Sequence, residues 1–381
     1  MDILNYTEAH HEFRRRLRAF LEKEVTPYAE QWEKDHIVPR EIWNKIGQQG
    51  FLSTSVAKEY GGLGGDFLYS AIVCEEMAST GQTGLAATLH SDVVVPYIEE
   101  YGSEELKRKY LPGCVSGDVV TAVAMTEPGA GSDLSSIQTT AIEEGDKVII
   151  SGSKTFISNG IHYDIVIVAA KDPAIENPYN ALSLYIVDDG TPGFEKGKQL
   201  EKMGWHSQDT AELFFNNCRI QKTNILGEKG YGFLMLMGKL QQERLVCAMG
   251  AVNGAQICLN RIVEYCKKTS DASGKLLSRS QAVQFALVEM ATDVKIGKTF
   301  VDKLIADHME KKDIKTETSM AKFWMTEMTN RIIGRSLEIM GDYGTVETNP
   351  LLRGWRDARV TSIFAGTNEI MKFIISKLMK L

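Results

Sequence analysis

The chain has 381 residues, is 43% hydrophobic, and carries 43 Lys and Arg against 50 Asp and Glu, a formal net charge of −7. That length supports two or three domains, or one multi-segment subunit with a large core. An acidic balance without a basic block argues against nucleic acid as the main partner, and the longest purely apolar run, Ile165 to Ala170, is far too short to span a bilayer.

The opening stretch MDILNYTEAHHEFRRRL lacks the apolar core of a signal peptide, and its acids do not suit a transit peptide. The expected location is cytoplasmic, or the mitochondrial matrix after processing. Apolar spacing over residues 5–112 is helical, as in FRRRLRAFLEKEVTPYAEQWEK and YSAIVCEEMAST, broken by the glycine-rich turn EYGGLGGD. After LPGCVSGD the pattern changes to short β-rich runs: VVTAVAMT, KVIISGSKTFIS, DIVIVAAK, ALSLYIVD and TAELFFNNCRI. Gly, Asn, Asp and Pro punctuate them, which predicts a small barrel or sandwich. Helical periodicity returns at about 228, with long stretches at 232–267, 279–311 and 317–341. The expected architecture is mainly α with a β middle: a helical domain over 1–117, a β domain over 118–227 and a helical bundle over 228–381.

The cysteines, Cys74, Cys114, Cys218, Cys247, Cys258 and Cys266, form no Cys-x-x-Cys and read as buried reduced thiols. The histidines form no His-Glu-x-x-His, so no metal is expected.

Two loops carry the first chemical signal. MTEPGAGSD, Met125 to Asp133, follows a predicted strand, and its small residues leave backbone amides open to a flat cofactor or a phosphate. KTFISNG, Lys154 to Gly160, presents an aromatic, an apolar residue and a hydroxyl before an Asn-Gly turn. Either alone is an ordinary strand and turn. A third turn, Ala365-Gly366-Thr367-Asn368, runs into the last predicted helix and offers free N–H groups to an anion.

Together with EYGG, GWHSQDTAELFF and GTNEI, these motifs resemble the acyl-CoA dehydrogenase family of flavoenzymes, in the family's order and over nearly the whole chain. The resemblance implies an N-terminal helical domain, a middle β domain and a C-terminal four-helix bundle. It also implies FAD as cofactor, an electron-transfer flavoprotein as acceptor, and a homotetramer, or a dimer. Met125, Thr126, Phe156, Ile157 and Ser158 take the places that meet the flavin, beside Gly131. Ser132 takes the contact to the CoA portion. Thr367, Asn368 and Glu369 fall at the cofactor's phosphate and ribose region, and Gln281, Glu338 and Gly341 at its diphosphate end. Asn180, Ala181, Leu234, Gln241, Gln242, Arg244, Ala365 and Gly366 fall where relatives hold the thioester and its chain.

Abstracting a weakly acidic thioester α-proton needs a carboxylate base and hydrogen bonds to the thioester oxygen. Many family members carry that Glu where Ala365 stands. Glu243, in KLQQERLVCAMG, stands where the long-chain and isovaleryl branches carry theirs, and those branches leave the late slot small. Asp92, in LHSDVVVPYI, is the rival: a helix N-terminal acid that favours the dipole, or a second base acting on a cyclic or carrier-bound acyl group. The usual Arg-x-x-Phe-Gly is replaced by KKTSDASGKLLSRSQ, and the usual Gln-x-x-Gly-Gly by EIMGDYG. These departures weaken the expected grip on the FAD diphosphate, since Lys267 or Lys268 cannot reproduce Arg's bidentate contact. They also admit a third reading, a degenerate acyl-CoA-binding paralogue without turnover.

Overall fold

The computed structural model describes residues 3–381. The N-terminal helices are α1 (Glu8–Glu24), α2 (Ala29–Asp35), α3 (Glu41–Gln48), α4 (Phe67–Ser79), α5 (Val95–Tyr101) and α6 (Glu104–Ser116). Helix α1 buries Phe13, Leu17 and Leu21, four residues apart on one face. Asp66, the last residue of EYGGLGGD, caps α4 by accepting from the Leu68 N–H, so the glycine turn ends on a helix start. Gly117 ends α6 at φ 80°, and a Cβ there would lie 1.9 Å from the Trp43 carbonyl oxygen. Only glycine fits this close approach of α6 to α3.

The strands are β1 (Thr121–Ala124), β2 (Thr140–Glu144), β3 (Lys147–Ile157), β4 (Ile165–Lys171), β5 (Leu182–Asp188), β6 (Phe194–Gln199), β7 (Ala211–Gln221) and β8 (Ile225–Leu226), with the short α7 (Pro178–Ala181) between β4 and β5. They form one sheet in the order β6-β7-β3-β2-β4-β5-β8, with β1 parallel to β4. Alternation along β4 feeds two cores. Ile165, Ile167 and Ala169 pack with α5, α6 and Met235 and Leu236 of the helix that follows the sheet, whereas Val166, Val168 and Ala170 join Ile150, Leu213 and Phe215 from the far end of the sheet. The sheet therefore curls over its own core, as the barrel or sandwich expectation requires.

The C-terminal bundle comprises α8 (Gly232–Lys268), α9 (Gln281–Met309), α10 (Lys315–Met340), α11 (Pro350–Arg359) and α12 (Asn368–Leu378). Ala248, Val252, Ala255 and Leu259 of α8 pack on Met325, Met328 and Ile332 of α10 and Val294 and Val301 of α9. Leu68, Ala71 and Cys74 of α4 share that core, so the first helical domain is fastened to the bundle along α8. Although α8 is long and apolar enough to cross a membrane, half of its most apolar window is buried inside this core. All six cysteines are free, and Cys247 alone is only half-buried. Among the described residues no group of His, Cys, Asp or Glu is arranged to hold a metal. Since helices run to Ser116, strands begin at Thr121, and helix resumes at Gly232, we propose domain divisions at 1–117, 118–227 and 228–381.

Candidate active site

Helix α8 carries Glu243 into the interior. Its side chain is buried, and the Tyr97 hydroxyl from α5 donates to Glu243 Oε1 at 2.8 Å. Burial pushes the Glu243 carboxyl up to about 7, although the Tyr97 hydrogen bond and the Arg244 charge pull the other way. A solvated helix surface, the ordinary reading of a Glu in KLQQER, is thereby ruled out. Beside it Arg244 is also buried and donates to Ser319 Oγ of α10 at 3.3 Å, while its Nε has no partner among the described residues. A buried guanidinium with an unused donor is prepared for a ligand acceptor.

Asp92 lies on the segment Leu89–Val94, which winds as a π-helix leading into α5. It occupies the first turn, as the dipole reading expects, but it is buried rather than solvated. Ser70 of α4 donates to Asp92 Oδ1 at 2.6 Å, and burial pushes the carboxyl up to about 7. Among the described residues no donor reaches Oδ2, which is not sealed from its surroundings. The Gln242 amide donates to the Asp92 backbone carbonyl at 2.7 Å, so the two acids sit on adjoining stretches of helix. Gln241 is spent differently: its amide bonds Lys312 O and the Ile314 N–H, tying α8 to the turn between α9 and α10.

The two β-domain loops meet beside this region. The Thr155 N–H donates to the Thr126 carbonyl at 2.9 Å. The pairing of β3 with β7 shifts register between Lys154 and Ile157, and at that bulge Phe156 takes φ 59° and turns its ring outward, 68% exposed. Ile157 points inward and Ser158 is half-buried at the loop edge. Glycines 129 and 131 have nothing within 4 Å of a notional Cβ, so the loop bearing Ser132 faces open space. An exposed aromatic held at a left-handed backbone, beside an open small-residue loop, fits a flat cofactor ring.

The last turn closes the arrangement from the bundle. Ala365 and Gly366 take φ 54° and 85°, and Thr367 caps α12 by accepting from the Ile370 N–H at 3.2 Å. Lys322 of α10, fully buried, donates to the Gly366 carbonyl at 2.6 Å and to Asn368 Oδ1 at 3.1 Å. The Cys247 thiol, one helical turn past Glu243, contacts the Thr361 carbonyl at 3.9 Å. Trp205, from the middle-domain motif GWHSQDTAELFF, packs edge-on against Phe364 at 5.5 Å. Asn368 is thus committed to holding the turn, while Glu369 is exposed.

The remaining sequence-derived positions lie apart from this cluster. Asn180 and Leu234 are exposed where α7 meets the start of α8, and Ala181 is buried beneath them. Gln281, Glu338 and Gly341 are exposed at helix ends of the bundle. Lys267 and Lys268 pair with Glu264 on their own helix, at 3.2 and 3.6 Å. Tyr97, Ser70, Lys154 and Lys322 were not singled out by sequence, because each acquires its meaning from a partner distant in the chain.

Three family models cover the chain: the acyl-CoA dehydrogenase N-terminal domain over residues 7–118, the middle domain over 122–218 and the C-terminal domain over 230–380. The chain belongs to the acyl-CoA dehydrogenase family. It is 40% identical to the rat long-chain specific acyl-CoA dehydrogenase, mitochondrial, over 98% of this chain and 86% of that protein. An acyl-CoA dehydrogenase structure from Geobacillus kaustophilus superposes with a TM-score of 0.97 at 49% identity, over 99% of each chain. A chain from a structure of the electron transferring flavoprotein of Acidaminococcus fermentans gives 0.93 at 34% identity, over 99% of each. This acyl-CoA dehydrogenase is an FAD-dependent oxidoreductase that acts on the CH–CH group of an acyl-CoA and forms the enoyl-CoA. That activity sets aside the reading as a paralogue without turnover.

Proposed function

We propose that Glu243 is the base that removes the α-proton, carried by one observation: a buried carboxylate raised to about 7 with one oxygen fixed by Tyr97. A base titrating near neutrality combines sufficient ionisation with sufficient driving force. The Tyr97 bond holds Oε1 and leaves Oε2 for the proton. Arg244 brings positive charge next to the base, which favours its ionised form. Met125, Thr126, Phe156, Ile157 and Ser158 would hold the flavin and Ser132 the CoA portion. FAD, when bound, accepts the β-hydride.

This assignment fixes the pH dependence. The proton-abstracting form is the carboxylate, so substrate-driven flavin bleaching rises about tenfold per pH unit below about 7 and levels off above it. Tyr97→Phe removes a hydrogen bond that favours the carboxylate, and a bond to a charged group is worth roughly 1.5–3 kcal/mol, or about one to two pH units. The midpoint should therefore move up. An unchanged midpoint would mean that the titrating group is not Glu243. Stability carries the opposite sign. A folded-state value raised from 4.5 to about 7 means that the native state keeps a proton the unfolded chain releases, so this contribution is present below pH 4.5 and lost as pH rises through 7.

A second reading gives Asp92 a role as base toward a cyclic or carrier-bound acyl group, favoured by its burial and by an Oδ2 that no donor reaches among the described residues. Asp92→Asn should then spare straight-chain acyl-CoAs and depress a cyclic one selectively. Equal depression on all substrates, with unaltered thermal stability, would contradict both this role and a supporting one.

For partners, the relationship to the Acidaminococcus chain supports an electron-transfer flavoprotein as acceptor. Exposed apolar side chains on α9 and α12, among them Ile296 and Phe373 at 57% each, support burial against a second copy in a homotetramer or dimer. The rat relative's mitochondrial name supports the matrix for a eukaryotic source, and the Geobacillus relative is bacterial.

A further inference from the structure

We propose that Lys154 and Glu127 form a positioning pair that sets the Met125–Thr126 peptide for the flavin. Lys154 closes the regular part of β3, immediately before the bulge that turns Phe156 outward. Its ammonium is fully enclosed and donates to Glu127 Oε1 at 2.8 Å and to the Met125 carbonyl at 3.1 Å. Glu127 also accepts from the Thr139 N–H at 2.9 Å and, through Oε2, from the Gln138 N–H at 2.6 Å. One carboxylate thereby ties the MTEPGAGSD loop to the residues leading into β2, and one ammonium ties it to β3.

The geometric consequence follows from peptide planarity. In a trans peptide the C=O and the next N–H point in opposite directions. Drawing the Met125 carbonyl inward onto Lys154 turns the Thr126 N–H outward, and no protein acceptor takes it among the described residues. The Thr126 carbonyl is held in turn by the Thr155 N–H, next to Phe156. The pair therefore orients a free donor on the face where the Phe156 ring stands exposed. Its burial favours this role, since two buried charges are a poor way to gain stability alone, whereas they fix a peptide orientation that an apolar pair would leave free. Both stay charged at neutral pH: Lys154 is pulled down by burial only to about 8, and for Glu127 burial raises the carboxyl while the Lys154 charge and the hydrogen bonds from Lys154, Thr139 and Gln138 together hold it below its ordinary value.

The inference rests on the reading that these two loops hold the flavin, and Phe156→Ala tests that reading separately. Lys154→Met, and the double variant Lys154→Met/Glu127→Gln in case the single change does not fold, are compared with Ile150→Ala. Ile150 is fully buried on the same strand and touches neither loop bond. FAD dissociation constants are measured by fluorescence well below each unfolding temperature, with the visible spectrum and reduction potential of the bound flavin. The pair variants should weaken FAD by about two- to tenfold, the worth of one misaligned neutral hydrogen bond from the Thr126 N–H, and shift the flavin spectrum and potential. Ile150→Ala should lower the unfolding temperature and leave the affinity, spectrum and potential unchanged. Wild-type affinity and potential in the pair variants, with Phe156→Ala weakened, would overturn the positioning role alone. Equal loss in Ile150→Ala would reduce the pair to a general stability element. Unchanged affinity in Phe156→Ala would overturn the placement of the flavin and the inference with it.

Discussion

Glu243→Gln should lower flavin bleaching by the preferred acyl-CoA at least about a hundredfold, the range of a positioned general base. The amide keeps the shape of the side chain and can still accept from Tyr97 at 2.8 Å, so the fold and the substrate pocket persist. It removes only the site that takes the proton. Binding should persist as well, because Arg244, Ser132 and the loops proposed to hold the cofactor remain. Placing Glu at position 365 in this background should restore part of the activity. Ala365 already takes φ 54°, so its backbone strain is built in before the substitution. The rescue is limited by packing, since the carboxylate must find room where a methyl group now sits. Near wild-type bleaching in Glu243→Gln would transfer the role of base to Asp92.

The bound FAD should leave this protein about tenfold to over a hundredfold more readily than it leaves relatives with an intact Arg-x-x-Phe-Gly. A charged hydrogen bond is worth roughly 1.5–3 kcal/mol, and no arginine stands between Lys267 and Gly274 to make one. The two lysines that open this stretch are already engaged. Lys267 and Lys268 pair with Glu264, and Asp271 turns back to accept from Ser273 and Lys275 at 2.9 and 3.1 Å. Dilution to nanomolar protein followed by gel filtration, with absorbance read at the flavin and protein bands, measures the retained fraction and the assembly state together. Full retention would show that the diphosphate is held by other groups.

The order of helices, strands and helices was legible because periodicity is local. The bundle helices fall within a few residues of their expected limits, α9 at Gln281–Met309 and α10 at Lys315–Met340. Strand β6 escaped because FEKGKQ buries only Phe194, leaving no alternation to read. Strand β2 escaped because TAIEE is short and buries only Ala141. Glu243 was singled out as a candidate through the pairing of a Glu-Arg with a small Ala365, while its burial and its Tyr97 partner were invisible in the chain. Lys154 and Lys322 illustrate the harder case. A lysine in a strand or helix reads as a solvated surface group, yet both are enclosed, and the partners that permit it, Glu127 and the Gly366 turn, are distant in sequence. Long-range pairing of buried charges leaves no periodic trace.

The most direct test of Glu243 as base separates proton removal from the transfer that follows it. An acyl-CoA whose β-carbon carries no hydrogen can lose its α-proton but cannot be oxidised, so deuterium uptake at the α-carbon from heavy water reports the base alone. Mass spectrometry of the recovered thioester should show exchange by the wild-type enzyme and by Asp92→Asn, rising with pH through about 7. Glu243→Gln should show at least about a hundredfold slower exchange. Exchange at the wild-type rate in Glu243→Gln would contradict the assignment.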